Sequence, residues 1–264
     1  MPSFFHLFRA EMKRYYALQW SNLGDTLSWF VFTFMMFVAM VVILNGIHGG
    51  DFGAQARLLV VVGWITWVVA GDCMAEVPEE VTEEAEVGTL EQLCLLPVPF
   101  ALILGIRSLA YFLGIGLRGL LAAVILIFFI APLPAAPALA ILFLISLAGA
   151  YGLGYLLAGL ALIFKKVSAL TSLIFSLLIL LTGAFVGLES LGWIYEVLRL
   201  AFPLTWGISL MRQVVGEGTT LTGLFQSGEM VGLTLHSAIY LAVGLVVFAW
   251  GYRLARMKGT LAHY

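Results

Sequence analysis

The chain has 264 residues, of which 62% are hydrophobic and 11% charged, and its mean hydropathy is +1.06. Soluble domains carry about 45–50% apolar and about 25% charged residues, so composition excludes a soluble globular protein. The net charge of −2 gives no electrostatic footprint for nucleic acid. Apolar segments of about 20 residues, in place of ~10-residue alternating strands, exclude a membrane barrel and predict an all-α integral membrane protein.

Ser3–Trp20 forms an amphipathic helix. Phe4, Phe5, Leu7, Phe8, Met12, Tyr15, Tyr16 and Leu18 share one arc, and His6, Arg9, Lys13 and Arg14 the other, with Glu11 and Gln19 intruding on the apolar side. Such a helix lies in the interface, its basic face on anionic headgroups. Arg9, Lys13 and Arg14 precede a full-length span without a small-residue cleavage site, so the segment is not expected to be a cleavable signal.

Six spans are predicted: 27–47, 58–75, 102–131, 138–164, 167–188 and 230–252. Pro132–Pro137 (PLPAAP) makes a short hairpin between the third and fourth. With the N-terminus inside, nine Lys and Arg fall on the cytoplasmic side, Arg107 among them, and three on the other. That imbalance puts both termini in the cytoplasm of a multi-pass protein of the cell membrane. Arg118 falls inside the third span. It either pairs with Asp72 or another buried acid, or meets substrate, or snorkels to the cytoplasmic interface from a span that begins later.

Between the second and third spans lies a polar interruption, Glu76–Pro99, with seven acids at Glu76, Glu79, Glu80, Glu83, Glu84, Glu86 and Glu91. Anionic lipid repels a Glu-rich helix. The lead-in 76–86 is therefore expected to stand off toward the cytosol as a docking surface, with Leu90–Pro97 as its less charged centre. A solvated charge run is the plainer alternative. Cys73 and Cys94 flank the stretch without disulfide or metal spacing.

Between the last two spans, 189–229 reads as two short apolar helices broken at Pro203 and carrying Trp193, Tyr195 and Trp206. Each is too short to cross. A re-entrant hairpin from the external face is expected, tolerated at depth only where protein covers its backbone.

Three features together resemble the membrane subunit of ABC-2 type exporters. They are the string Gly88-Thr89-Leu90-Glu91-Gln92-Leu93 with Pro97, Pro99 and Gly105-Ile106-Arg107; the string Pro203-Leu204-Thr205-Trp206-Gly207 with Arg212; and six spans behind an interfacial helix. The resemblance covers nearly the whole chain and implies a single transmembrane domain over 1–264. It implies two copies of this subunit on two cytosolic ATPase subunits, which supply the ATP and Mg site. It also implies a coupling helix near Gly88–Pro97, with Glu83, Glu84 and Glu86 as this chain's own acidic lead-in, and an outward direction of transport.

No phosphate-binding G-x-x-x-x-G-K-[ST], H-E-x-x-H or G-x-S-x-G string occurs, so no enzymatic activity and no bound cofactor are expected of this chain. The fifth span gathers Ser168, Thr171, Ser172, Phe175 and Thr182 on one face. Small and hydroxyl residues there suit close helix packing or a polar-tolerant path. With Trp29, Thr33, Thr66 and Trp67 they are the pathway candidates. An apolar path with aromatics suits a drug, a lipid or a lipid-linked glycan. Alternatives from other classes are an ion-coupled secondary transporter, which calls for inverted repeats and intramembrane acids, and a membrane scaffold without transport.

Overall fold

A computed structural model describes residues 4–47, 53–86, 88, 100–130, 137–164, 168–185, 188 and 191–258. In chain order the helices are α1 (Phe4–Ser21), α2 (Leu23–Ile47), α3 (Ala54–Glu86), α4 (Phe100–Ile130), α5 (Pro137–Phe164), α6 (Ser168–Leu181), α7 (Trp193–Ala201), α8 (Pro203–Glu217), α9 (Leu221–Gln226) and α10 (Glu229–Lys258). No strand occurs among the described residues. Segments within α2, α3, α4, α5 and α10 are long and apolar enough to cross a membrane, which makes the chain a multi-pass membrane protein.

Helix α3 is the centre of the molecule. Its apolar run is buried on all sides, from Val60 and Val61 through Val69 and Cys73 to Val77 and Val81. Helices α4, α5 and α8 pack around it. Helix α2 is peripheral and buries Thr33, Phe37 and Leu44, while Val31, Phe32, Met35, Val42 and Ile43 face outward. An apolar outer face is what lipid requires.

The helix of the second predicted span runs on past the end of that span. The helix does not end near Ala75 but continues through Pro78 to Glu86, for 33 residues. That is about 50 Å at 1.5 Å per residue, well beyond a hydrocarbon core of about 30 Å. About 20 residues counted from Leu58 reach Val77, so Asp72 and Glu76 fall within the apolar thickness and the later acids beyond it. The acidic lead-in is thus the far end of the central helix, not a separate element standing off in solvent.

The fifth predicted span also differs. Helix α6 ends at Leu181, not near Leu188, and its described part has 14 residues, about 21 Å. Gly183 then takes φ 68°, a left-handed conformation open to glycine. The end is held from α8: Thr205 Oγ1 donates to the Leu181 carbonyl at 3.1 Å, and Arg212 Nη2 to the Ala184 carbonyl at 3.2 Å.

Helices α5 and α10 form the most extensive helix contact. They touch backbone to backbone. A Cβ added to Gly244 would lie 2.0 Å from the Gly152 carbonyl oxygen, and one on Gly251 2.3 Å from that of Gly159. Both glycine pairs repeat at the same interval, and Gly152 meets Gly244 as Gly159 meets Gly251, so the two helices run parallel. The chain between them therefore returns to the side on which α5 began.

Overpacking a core typically costs about 1–3 kcal/mol even where side chains can yield, and here the obstacle is backbone. Gly244→Leu is expected to lower the melting temperature in detergent by several degrees or to abolish monodisperse elution. Gly24→Leu, with open space around its Cα, should leave both unchanged. Equal behaviour of the two variants would contradict the close contact.

Candidate functional site

Asp72, Glu76, Glu80 and Glu84 recur every four residues on α3, so they form one stripe along the helix. Opposite them, Arg107 and Arg118 lie eleven residues apart on α4, about three turns, and share a face. The helices are antiparallel here. Arg118 bonds Asp72, and Arg107 bonds Glu80 directly and Glu84 at 3.0 Å. The Arg107 and Glu80 side chains are only 8% and 9% exposed. The Arg118 guanidinium also lies 4.4 Å from the centre of the Trp29 ring, which ties α2 to the same pair.

Helix α1 completes the network. Its Glu11 accepts from Arg107 Nε at 3.3 Å, and its Arg14 reaches Glu80 at 3.2 Å and Glu84 at 3.9 Å. Tyr15 packs on Gly114, and its ring stands edge-on to Tyr111 at 4.9 Å. Burial pushes the Tyr15 phenol up, so it stays protonated. Glu11 and Gln19, which break the apolar arc of α1 in the sequence, are its inward polar contacts: Gln19 Oε1 accepts from Thr26 Oγ1 at 2.8 Å.

Between α1, α3 and α4 opens a cleft of about 320 Å³. Asp72, Glu76, Glu79, Glu80 and Glu83 line its acidic wall; Tyr15, Tyr111 and Ile115 line the other, with Arg118. Both Glu76 carboxylate oxygens are buried without a hydrogen bond of ordinary geometry, and the Tyr151 hydroxyl neighbours them from α5. Glu79 and Glu83 are exposed.

A second polar cluster sits at the opposite end, where Gln55 at the start of α3 bonds the Gly216 carbonyl. Arg199 of α7 grips both Glu229 oxygens at 3.0 Å and stacks 4.5 Å above the Trp206 ring, whose Nε1 donates to Glu229 at 2.7 Å. Phe202 is extended and Pro203 opens α8, where its missing N–H is no loss. Pro203, Thr205, Trp206 and Arg212, singled out in the sequence, all hold helix ends together here.

The remaining candidates are dispersed. Thr89, Leu90, Glu91, Leu93 and Pro97 lie outside the described residues; Gly88 is an exposed turn at φ 77°. Glu83 is exposed, Glu84 is committed to Arg107 and Arg14, and Glu86 is the last residue of α3. Thr33, Thr66, Trp67 and Thr182 are buried. Thr66 donates to the Val62 carbonyl, and the Thr33 carbonyl accepts from Trp64. Trp67 borders a void of only about 10 Å³, room for one water at most. Ser172 is exposed on α6; Ser168, Thr171 and Phe175 belong to the same helix.

Sequence reading missed the Arg107–Glu80–Glu84 network. It placed Arg107 and the acids on the same cytoplasmic side without pairing them, although the four-residue acid spacing continues the helical period of the span. No protein-family model matches the chain, and no curated protein matches it.

Removing one partner of a buried ion pair costs about 3–5 kcal/mol. Arg107→Met leaves Glu11, Glu80 and Glu84 with Arg14 alone to answer them among the described residues and is expected to lower the melting temperature in detergent sharply. Adding Glu80→Gln should restore part of the loss, since residues in one network couple by about 0.5–3 kcal/mol. Additive effects of the two changes would dissolve the network.

Proposed function

We propose that the chain is the permease subunit of an ABC-2 type exporter. Two copies would form the pathway and two cytosolic ATPase subunits would drive it, holding the ATP and Mg. The substrate class is amphipathic or lipid-like: a drug, a lipid or a lipid-linked glycan, moved outward across the cytoplasmic membrane. The observation that carries this reading is the continuity of α3. The central helix runs without a break from the core to Glu86, and the Gly-Thr-Leu-Glu-Gln-Leu string follows at once. A push on 88–97 from an ATPase would enter the middle of the molecule directly.

Three further points support it. The parallel course of α5 and α10 needs a return between them, which suits six spans with α6 as the fifth and α7–α8 as an external re-entrant hairpin. Helix α1 is exposed at Phe4, Phe5, Tyr16, Leu18 and Trp20, as an interfacial helix would be. Arg9, Lys13, Arg253, Arg256 and Lys258 would then share the cytoplasmic side with both termini.

One observation favours a second reading, an ion-coupled secondary transporter. The candidate span Gln55–Glu84 carries Asp72 and Glu76 within its apolar length, and acids at membrane depth commonly mark ion pathways.

The two readings separate in one experiment. The chain is expressed with an ATPase encoded next to it, and the complex is reconstituted in vesicles. The exporter reading expects co-purification in equal amounts, ATP-dependent uptake into inside-out vesicles, and no ATP hydrolysis by the chain alone. Leu90→Asp with Leu93→Asp should cut co-purification at least tenfold, and Glu83→Lys should weaken it; Glu84 is left intact because it holds Arg107. Uptake driven by a proton or sodium gradient without ATP would overturn the exporter reading.

A further inference from the structure

We propose that the cleft between α1, α3 and α4 binds an organic cation with an aromatic or apolar body. The first ground is charge. Five carboxylates line the cleft against a single guanidinium. Arg118 is already held by Asp72, while Arg107 and Arg14 answer Glu80 together with Glu84 and Glu11. Glu76, Glu79 and Glu83 then remain without a cation at ion-pair distance among the described residues. Low-dielectric walls concentrate the field of such an excess and raise the local concentration of positive ligands.

The second ground is Glu76 itself. Its two oxygens are sealed from solvent and make no hydrogen bond of ordinary geometry, yet the residue lines the cleft. A buried carboxylate without a partner is expensive. The chain brings Tyr151 beside it and no Lys or Arg to ion-pair distance among the described residues, so a cation in the cleft would find at Glu76 a carboxylate that no other ion pair has claimed.

Shape and lining decide which cation. Among the described residues no group of three or more acids, histidines or cysteines converges to hold a metal ion, so the carboxylates serve a diffuse charge and not a coordinated one. Tyr15 and Tyr111 offer aromatic surface on the opposite wall, and an ammonium or phosphonium over such rings gains about 0.5–2 kcal/mol. A volume of about 320 Å³ falls at the small end of ligand sites, which span about 300–1,000 Å³. The proposal concerns binding and does not depend on how transport is energised.

The test uses the purified full chain in nanodiscs of neutral phosphatidylcholine. Equilibrium dialysis measures radiolabelled tetraphenylphosphonium and, in parallel, tetraphenylborate, which has nearly the same shape and the opposite charge. One saturable phosphonium site per chain is expected, with only non-saturable uptake of the borate. Glu76→Gln should weaken phosphonium binding about tenfold or more, Glu79→Gln should weaken it less, and Glu217→Gln, exposed at the far end of α8, should leave it unchanged. If Glu76→Gln does not fold, the exposed Glu79→Gln decides. Equal uptake of both ions, or parental phosphonium binding in the folded Glu76→Gln and Glu79→Gln variants, would overturn the proposal.

Discussion

Arg107 and Arg118 are the two cations of α4, and α3 answers both. A guanidinium placed among apolar helices cannot be left alone; the penalty for burying a lone charge amounts to several kcal/mol. Two such charges about three turns apart, each met by acids of one stripe, hold α4 antiparallel to α3 with Arg118 on Asp72 and Arg107 on the Glu80–Glu84 pair. A slip by one turn would move each Arg by about 5.4 Å and replace Asp72 with Glu76 opposite Arg118, so the stripe of acids guides the helices along one face. The same pairs set the rotation of α3, because the acids must face α4. With that face committed, the opposite sides of α3 meet α5 and α8. The position of α1 follows as well, since Glu11 and Arg14 supply the charges that complete the Arg107 cluster.

Away from the ion pairs the helices are held by close approach. Lipid tails are as apolar as a leucine side chain, so burial against them gives little drive for association; small residues that bring backbones together do more. The Gly152–Gly244 and Gly159–Gly251 contacts are of this kind. Gly154 adds a second function. Pro78 lacks an N–H, so the carbonyl four residues earlier, that of Met74, loses its helical donor. Gly154 of α5 lies against that carbonyl: a Cβ there would sit 2.9 Å from it. A proline deep in the central helix is thus accommodated where a neighbouring backbone can lie against the freed oxygen.

Most of the helices were legible in the sequence because length and hydropathy alone define a span. The first, third, fourth and sixth predicted spans lie within α2, α4, α5 and α10, apart from one residue beyond the end of α4. The end of the second span was not legible by that criterion. Polarity after Ala75 reads as the edge of the membrane, whereas the helical signal, acids at 72, 76, 80 and 84, carries on across it. The end of α6 was hidden for another reason. It depends on Thr205 and Arg212, which come from a helix two elements later, and no local pattern announces a carbonyl acceptor so distant in sequence. The cleft was half legible. Its acids and both arginines were visible, and pairing of Arg118 with Asp72 was one of the readings the sequence left open. That Glu11 on α1 would face Arg107 followed only from the three-dimensional arrangement, although its intrusion on an apolar arc was the local trace of it.

The charge register also restricts how the molecule can move. Among the described residues six ion pairs run between helices α1, α3 and α4, and packed, paired helices yield as units, not by sliding past one another. Helix α2 has little such tie. It touches α1 and α3 only lightly, and Trp29 on Arg118 is its polar contact with the ionic core. Motion is therefore easiest between the α1–α3–α4 unit and its outer neighbours α2 and α6. Because the cleft lies within the stiff unit, near the end of the long helix that leads to Gly88, a cation settling against Glu76 would act on the same charges that lock α3 to α4. Ligand and lever would then meet on one helix, and any displacement of α3 would carry the cleft with it.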